Sequence, residues 1–212
     1  MLVAALLGLA FGFIGSIPIA GPISALVLQR GLDHRYANAA LIGIGGALAE
    51  GVYAFLAFFG FSKYLAPYPW IEPVSRAVAA LILVGLGISF MRYKGARAAA
   101  TKPAASMPQS FFLGLTVTLL NPTLIATWTA TTTAVHSTNL IVMTPADALP
   151  FALGATLGIG TWFTLFVLIM KRYKERFKPQ TLEKIIRVIG GLILGLGLWF
   201  GWRFVSYLIH GH

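Results

Sequence analysis

The apolar residues of this chain fall in six long runs separated by short polar connections. The runs lie near residues 2–28, 36–60, 74–91, 110–135, 149–170 and 185–209. A helix needs about 20 predominantly apolar residues to cross the hydrocarbon layer of a bilayer, and each run meets or approaches that length. Two of the runs are interrupted. Ser16-Ile-Pro-Ile-Ala-Gly-Pro22 breaks the first, and Asn121-Pro122 breaks the fourth. A proline inside a helix removes a backbone donor and clashes with the preceding turn, and glycine favours non-helical backbone angles. In water such a stretch is an ordinary loop. At bilayer depth, freed backbone survives only where it is buried in protein or lines a polar cavity.

Composition decides which solvent the runs meet. Of 212 residues, 58% are apolar and 10% charged, against roughly 25% charged in soluble domains; the mean hydropathy is +0.81. The expected fold is therefore all-α and integral to the membrane, with six transmembrane helices of which the first and fourth are broken. Sixteen Lys and Arg against six Asp and Glu give a net charge of +10. A soluble basic protein would point to nucleic acid, but its positive residues would share one globular face. Here they form short clusters between apolar runs, so membrane lipid is an expected partner and nucleic acid is not.

Charge also orients the chain. With connections assigned alternately to the two sides, thirteen basic residues fall on one side (Arg30, Arg35, Arg92, Lys94, Arg97, Lys102, Lys171, Arg172, Lys174, Arg176, Lys178, Lys184, Arg187) and three on the other (Lys63, Arg76, Arg203). The positive-inside rule places the first side in the cytoplasm and both termini outside. The basic connection 171–178 reads as a contact with anionic lipid. Ala66-Pro-Tyr-Pro-Trp70 is a turn carrying aromatics at interface level. Cysteine is absent, which removes disulfides and thiolate–metal chemistry. Met1 to Leu7 lack the positive region of a cleaved signal, so the first run is expected to stay as a membrane segment.

The two halves echo each other. Val84-Gly-Leu-Gly-Ile-Ser-Phe90 resembles Leu194-Gly-Leu-Gly-Leu-Trp-Phe200; Gly43, Ala47 and Glu50 have the spacing of Gly154, Gly158 and Thr161; Gly21-Pro22 matches Asn121-Pro122. The offsets are near 100–111 residues. Three spans per half force the halves into opposite orientations, the inverted-repeat plan of many secondary transporters. The expected organisation is a first repeat over 1–94, a linker over 95–108 and a second repeat over 109–212.

Glu50 is the acidic residue placed deep within an apolar run. An ionised carboxylate there costs on the order of 3 kcal/mol on insertion scales, so it must face the bundle interior, be protonated or have a partner. Gly43, Gly46, Ala47, Ala54 and Ala57 recur with it at spacings of three and four, a small-residue face that a neighbouring helix backbone can approach. No Lys or Arg lies at comparable depth. Glu50 is thus a candidate for carrying a proton or binding a substrate ammonium group; a structural carboxyl donating to a neighbouring helix is the alternative. Around the second break, Asn121 offers donors and acceptors, and Thr123 and Thr127 are the candidate lining. Most hydroxyls of the run Thr127, Thr129, Thr131, Thr132 and Thr133 are expected to bond back to their own helix. Ser16, Ser24 and Gln29 flank the first break, as lining or as packing hydroxyls. Trp162 is expected to pack. His34, His136, His210 and His212 lie near helix ends without metal-site spacing, the glycine-rich stretch from Gly43 is packing surface and not a phosphate loop, and no nucleophile–base pair stands out. No enzyme activity and no cofactor are expected.

Gly12…Ile17-Pro-Ile-Ala-Gly-Pro22, Gly43…Ala49-Glu50-Gly51 and Phe112-Leu-Gly-Leu…Leu120-Asn-Pro122, in this order, resemble the LysE/RhtB family of amino-acid exporters over essentially the whole chain. The resemblance implies an inner-membrane, six-helix inverted repeat that expels amino acids or related small metabolites, in exchange for protons. It implies that Glu50 matches the family's acidic position on helix 2, and Asn121-Pro122 its Asn-Pro. Ala20 stands where the family usually has a proline, and Thr123 where it commonly has lysine. The expected substrate site comprises Pro18, Ala20, Gly21, Pro22, Asn121, Pro122, Thr123 and Thr127, with half-helix N-termini receiving a carboxylate. A non-transporting membrane scaffold or sensor and a metal-cation exporter are the alternatives. A homodimer is compatible with the small-residue faces.

Overall fold

A computed structural model describes residues 1–17, 22–65, 68, 77, 80–81, 83–85, 87–88, 91–92, 106–121, 123–137, 140–173 and 179–210. Among them there is no strand. The first apolar run is two helices, α1 (Leu2–Ser16) and α2 (Pro22–Leu32), and the second is one long helix, α3 (Tyr36–Tyr64). The described residues between 77 and 91 are helical. The fourth run is again two helices, α4 (Met107–Leu119) and α5 (Thr123–Ser137). A 3-10 turn over Pro145–Asp147 leads into α6 (Ala148–Arg172), and α7 spans Pro179–His210. Helices 1 and 4 are thus each interrupted where proline chemistry predicts. The connection Ala66-Pro-Tyr-Pro-Trp70 apart from Tyr68, most of the linker 95–108 and residues 174–178 lie outside the described residues.

Local signals set the helix ends. Ser106 caps α4 in a reciprocal box: its hydroxyl accepts from the Gln109 amide at 3.4 Å, and Gln109 Oε1 accepts from the Ser106 amide at 2.8 Å. The helix therefore starts at Met107, two residues before the expected start of the second repeat. At the end of α2, His34 takes a left-handed φ of 60°. Its amide donates to the Gly31 carbonyl at 3.0 Å and the Arg35 amide to the Arg30 carbonyl at 2.9 Å, the paired bonds of a Schellman turn.

Among the described residues, two helices are long and apolar enough to cross a bilayer unbroken, at Tyr36–Tyr64 and Pro145–Arg172. Their outer faces carry leucines, among them Leu48, Leu56, Leu153, Leu157 and Leu168, all exposed. Their inner faces meet in antiparallel contact, with Gly43 against Phe163, Ala47 against Gly160, and Phe58 against Phe151 at a ring separation of 4.7 Å. Each long helix then takes a shorter helix from the other half of the sequence alongside it. Helix α1 runs parallel to α6: the Met1 amine pairs with Asp147 at 2.8 Å, Gly8 and Gly12 face the backbone of Phe151 and Ala155, and Phe13 meets Trp162 edge-on at 5.6 Å. Helix α4 runs parallel to α3: Asn38 Nδ2 donates to Ser110 Oγ at 2.8 Å, Gly45 faces the Phe111 backbone, and Gly114 faces the Ile42 backbone. Close backbone approach of this kind is how small residues drive helix association where lipid offers no hydrophobic gain.

The approach to α3 differs in one respect from the small-residue face predicted for it. Gly45 receives the α4 backbone, whereas Gly43 and Gly46 receive side chains, Phe163 and Ile23 respectively. The glycines thus serve different neighbours because α3 is surrounded, with α2, α4, α5 and α6 all packed against it. Between the described residues of the third and sixth runs, Gly87 lies against Leu194 and Gly197 against Val84, with an added Cβ falling 2.6 Å and 2.7 Å from the respective amide nitrogens.

Candidate functional site

One face of α3 gathers the ends of the broken helices. Gly46, Glu50 and Tyr53 are spaced four and three apart, so they stack on a common side. Gly46 is overlaid by Ile23, the second residue of α2, and an added Cβ there would lie 3.1 Å from Thr118 Oγ1, near the end of α4. One turn beyond Glu50, the Tyr53 hydroxyl donates to the Leu119 carbonyl at 2.6 Å. That carbonyl belongs to the last residue of α4, where the helix ladder runs out and an acceptor needs a partner. The start of α2 and the end of α4 are therefore brought to α3 at the level of Glu50.

Glu50 itself is half-buried. Its carboxyl lies beside the indole N–H of Trp128 on α5, although the indole nitrogen closes no hydrogen bond of standard geometry. Trp128 is buried and held edge-on to Phe151 at 6.1 Å and 87°. Phe151 in turn rests on Phe58, so an aromatic wall fixes the indole opposite the acid.

Four buried side-chain polar atoms among the described residues have no hydrogen-bond partner: Thr118 Oγ1, Trp128 Nε1, Thr132 Oγ1 and Trp162 Nε1. Leaving a buried donor or acceptor unpaired costs about 1–3 kcal/mol. Three of the four lie between 118 and 132, on either side of the second break. Other hydroxyls in the bundle follow the expected back-bonding: Ser16 to Gly12 O at 2.7 Å, Thr131 to Thr127 O at 3.0 Å, Thr156 to Ala152 O at 3.0 Å and Thr164 to Gly160 O at 2.8 Å. The orphaned atoms around the second break are thus set apart from their neighbours.

The predicted site residues fare unevenly. Pro18, Ala20, Gly21 and Pro122 lie outside the described residues. Pro22 is exposed at the head of α2, and Thr123 opens α5. Asn121 is half-buried, its amide donating to Thr118 O at 3.0 Å and its carbonyl accepting from the Leu124 amide at 3.3 Å. Thr127 is half-buried on α5. Thr161, the repeat counterpart of Glu50, lines instead an open groove between α3 and α6 with Ala47, Leu48, Gly160 and Leu168. Trp162 packs, edge-on to Phe13 and stacked on Phe166 at 6.0 Å. Trp128 and Thr118 are the residues that sequence reasoning passed over, and Thr132, one of the run expected to bond back to its own helix, makes no such bond. The spacing of four puts Trp128 and Thr132 on one face of α5, a signal visible in the sequence but masked by the surrounding threonines.

Among the described residues the protein is helical throughout its regular structure, with the Trp128 indole set beside the acid Glu50 in the longest apolar helix of the bundle core. The chain belongs to the LysE type translocator family, whose model matches residues 13–207. It is similar to the "Putative amino acid efflux protein YcgF" of Bacillus subtilis (strain 168), with 22% identity over 198 residues that cover 92% of this chain and 93% of that protein. No solved structure matches this chain. The protein is accordingly a membrane transporter of this family, not an enzyme.

Proposed function

We propose that this transporter exports amino acids or related small metabolites across the inner membrane, driven by proton exchange, with its site where the two breaks approach Glu50. The observation that carries this reading is the meeting on one face of α3 of the head of α2, the end of α4 and the Trp128 indole, all at the level of Glu50. The unpaired Thr118 and Thr132 hydroxyls offer a ligand donors and acceptors, and the Trp128 indole N–H is directed to Glu50. Asn121, Thr123 and Thr127 flank them in sequence, and Pro18, Ala20, Gly21, Pro22 and Pro122 complete the proposed set. Glu50 carries the exchanged proton or binds the substrate ammonium.

The architecture proposed with it is an inverted repeat, residues 1–94 and 109–212. Its support is the reciprocity of the packing. Helix α1 lies parallel to α6 and α4 parallel to α3, while α3 and α6 cross antiparallel; exchanging the two halves leaves this set of contacts unchanged. The pairs Gly87–Leu194 and Gly197–Val84 exchange in the same way at an offset of 110 residues. With the basic connections in the cytoplasm, both termini lie outside.

The test is flux of radiolabelled amino acids in proteoliposomes under an imposed pH gradient, comparing wild type with Glu50→Gln. The substitution should abolish gradient-driven flux. Retained exchange at zero gradient would assign Glu50 to the proton, and loss of both modes would assign it to the substrate. Wild-type flux in the variant would remove Glu50 from the mechanism.

A further inference from the structure

Gly46 leaves a notch on the face of α3 that carries Glu50 and Tyr53, and the head of α2 fills it. The Cδ1 of Ile23 sits where a Gly46 Cβ would be, with Ile23 Cγ1 and Thr118 Oγ1 each 3.1 Å from that point. Three elements thus meet over one glycine: α3, the first turn of α2 and the last turn of α4. Ile23 is 8% exposed there and Thr118 3%.

This closure leaves a defect behind it. Thr118 Oγ1 is buried with no hydrogen-bond partner, although Ser110 on the same helix donates to the Ser106 carbonyl at 3.1 Å. Water or a polar ligand over the notch could pair the hydroxyl, whereas the methyl group of Ile23 can neither donate nor accept. The apolar gain from burying one isoleucine and the penalty for sealing one hydroxyl are of the same order and oppose each other. The contact over Gly46 is made by the far end of a side chain, not by backbone, so it can be released without parting the helices. Release would uncover Thr118 one turn from Glu50, on the same side of α3.

We infer that Ile23 is a gate on the transport path: seated in the Gly46 notch it seals Thr118, and it leaves the notch when a substrate takes the Thr118 hydroxyl as a partner. The inference rests on the placement of the transport site on this face of α3 and adds a moving part to it. A substrate then meets a site that is competent for only a fraction of the time, and its apparent affinity is lowered by that fraction.

The chain has no cysteine, so a single introduced thiol reports on its own surroundings. The full-length protein carrying Thr118→Cys should react slowly with N-ethylmaleimide. Adding Ile23→Ala should speed that reaction by about tenfold or more, as expected for a shift in the open population. Gly46→Ala places a methyl group where Ile23 Cδ1 sits and should speed it likewise, which keeps the test available if the Ile23 variant does not fold. Ser110→Cys, fully buried on the same helix against Asn38, is the control, and its labelling should not respond to either substitution. Equal rates at position 118 with and without Ile23 would overturn the gate, and so would equal acceleration at 110 and 118. In proteoliposome flux, Ile23→Ala should lower the half-saturating amino-acid concentration by about threefold or more, the opposite of what losing a binding contact does. An unchanged or raised value would also overturn the gate. Labelling needs no substrate, so it decides the gate separately from the export reading, which fails alone if wild type carries no amino acid.

Discussion

A single methyl group added at Gly158 is positioned to push α1 and α6 apart. A Cβ built there would press into the Leu9 carbonyl oxygen, with the Phe13 amide nitrogen 2.8 Å and the Leu9 carbonyl carbon 3.0 Å away. All of these are backbone atoms of α1, and helix backbone cannot swing aside as a side-chain tip can. Relief requires the two helices to separate. Overpacking of a well-packed core costs about 1–3 kcal/mol, and a gap of about 0.5–1 Å forfeits roughly a quarter to a half of each contact's dispersion. Gly160, two residues on, is the control, because its Cβ would meet only the Ala47 Cβ, at 3.9 Å. Both substitutions to alanine gain the same helix propensity of about 0.8–1 kcal/mol, which cancels in the comparison. Gly158→Ala should therefore be less stable than Gly160→Ala by about 2 kcal/mol. At about 2–4 °C per kcal/mol for a chain of this size, the midpoints should differ by about 4–8 °C in thermal unfolding of the detergent-purified protein. Equal midpoints for the two variants would refute backbone-on-backbone contact between α1 and α6.

Two further substitutions separate the site from its scaffold. Tyr53→Phe removes the 2.6 Å bond to the Leu119 carbonyl and should lower stability by about 1 kcal/mol, seen in the same unfolding assay. Because that carbonyl ends α4 beside the break, Tyr53→Phe should also reduce proteoliposome flux; undiminished flux would mean that the break tolerates movement there. Asn38→Ala removes the 2.8 Å bond to Ser110, whose hydroxyl keeps its own bond to the Ser106 carbonyl at 3.1 Å. It should cost a similar amount, about 1 kcal/mol, and leave the proton dependence of flux unchanged, since it lies about three turns from Glu50 along α3.

Much of the candidate site was legible because its components are exceptions to local rules. Prolines within apolar runs and one carboxylate far from any run's end each violate what lipid demands of a helix, and each violation can be seen without a neighbour. The partners of those exceptions were not legible. Trp128 faces Glu50 because α5 is turned that way about its own axis, and the sequence of α5, rich in threonine on every side, does not announce which face is inward. Thr132 stayed hidden for the same reason, and Thr118, on α4, because nothing in that helix's sequence sets it apart from Thr116. Arg30 was counted with the headgroup contacts because charge near a helix end usually reaches water; its burial follows from the position of α2 inside a junction with three other helices.

What the sequence determined alone was the solvent, the number of apolar runs and the places where helices 1 and 4 break. Lipid imposes those conditions residue by residue, through the length of apolar chain needed to cross it and the need to satisfy backbone polar groups within a segment. What only the tertiary structure decided was which helices lie together: α1 beside α6 and α4 beside α3, partners more than forty residues apart in sequence. Apolar helix faces are interchangeable to lipid, so hydrophobicity does not choose among them. The choice comes from close fit at a few small residues, such as Gly8 and Gly12 under the backbone of α6 and Gly45 under that of α4. That fit is a property of two surfaces at once.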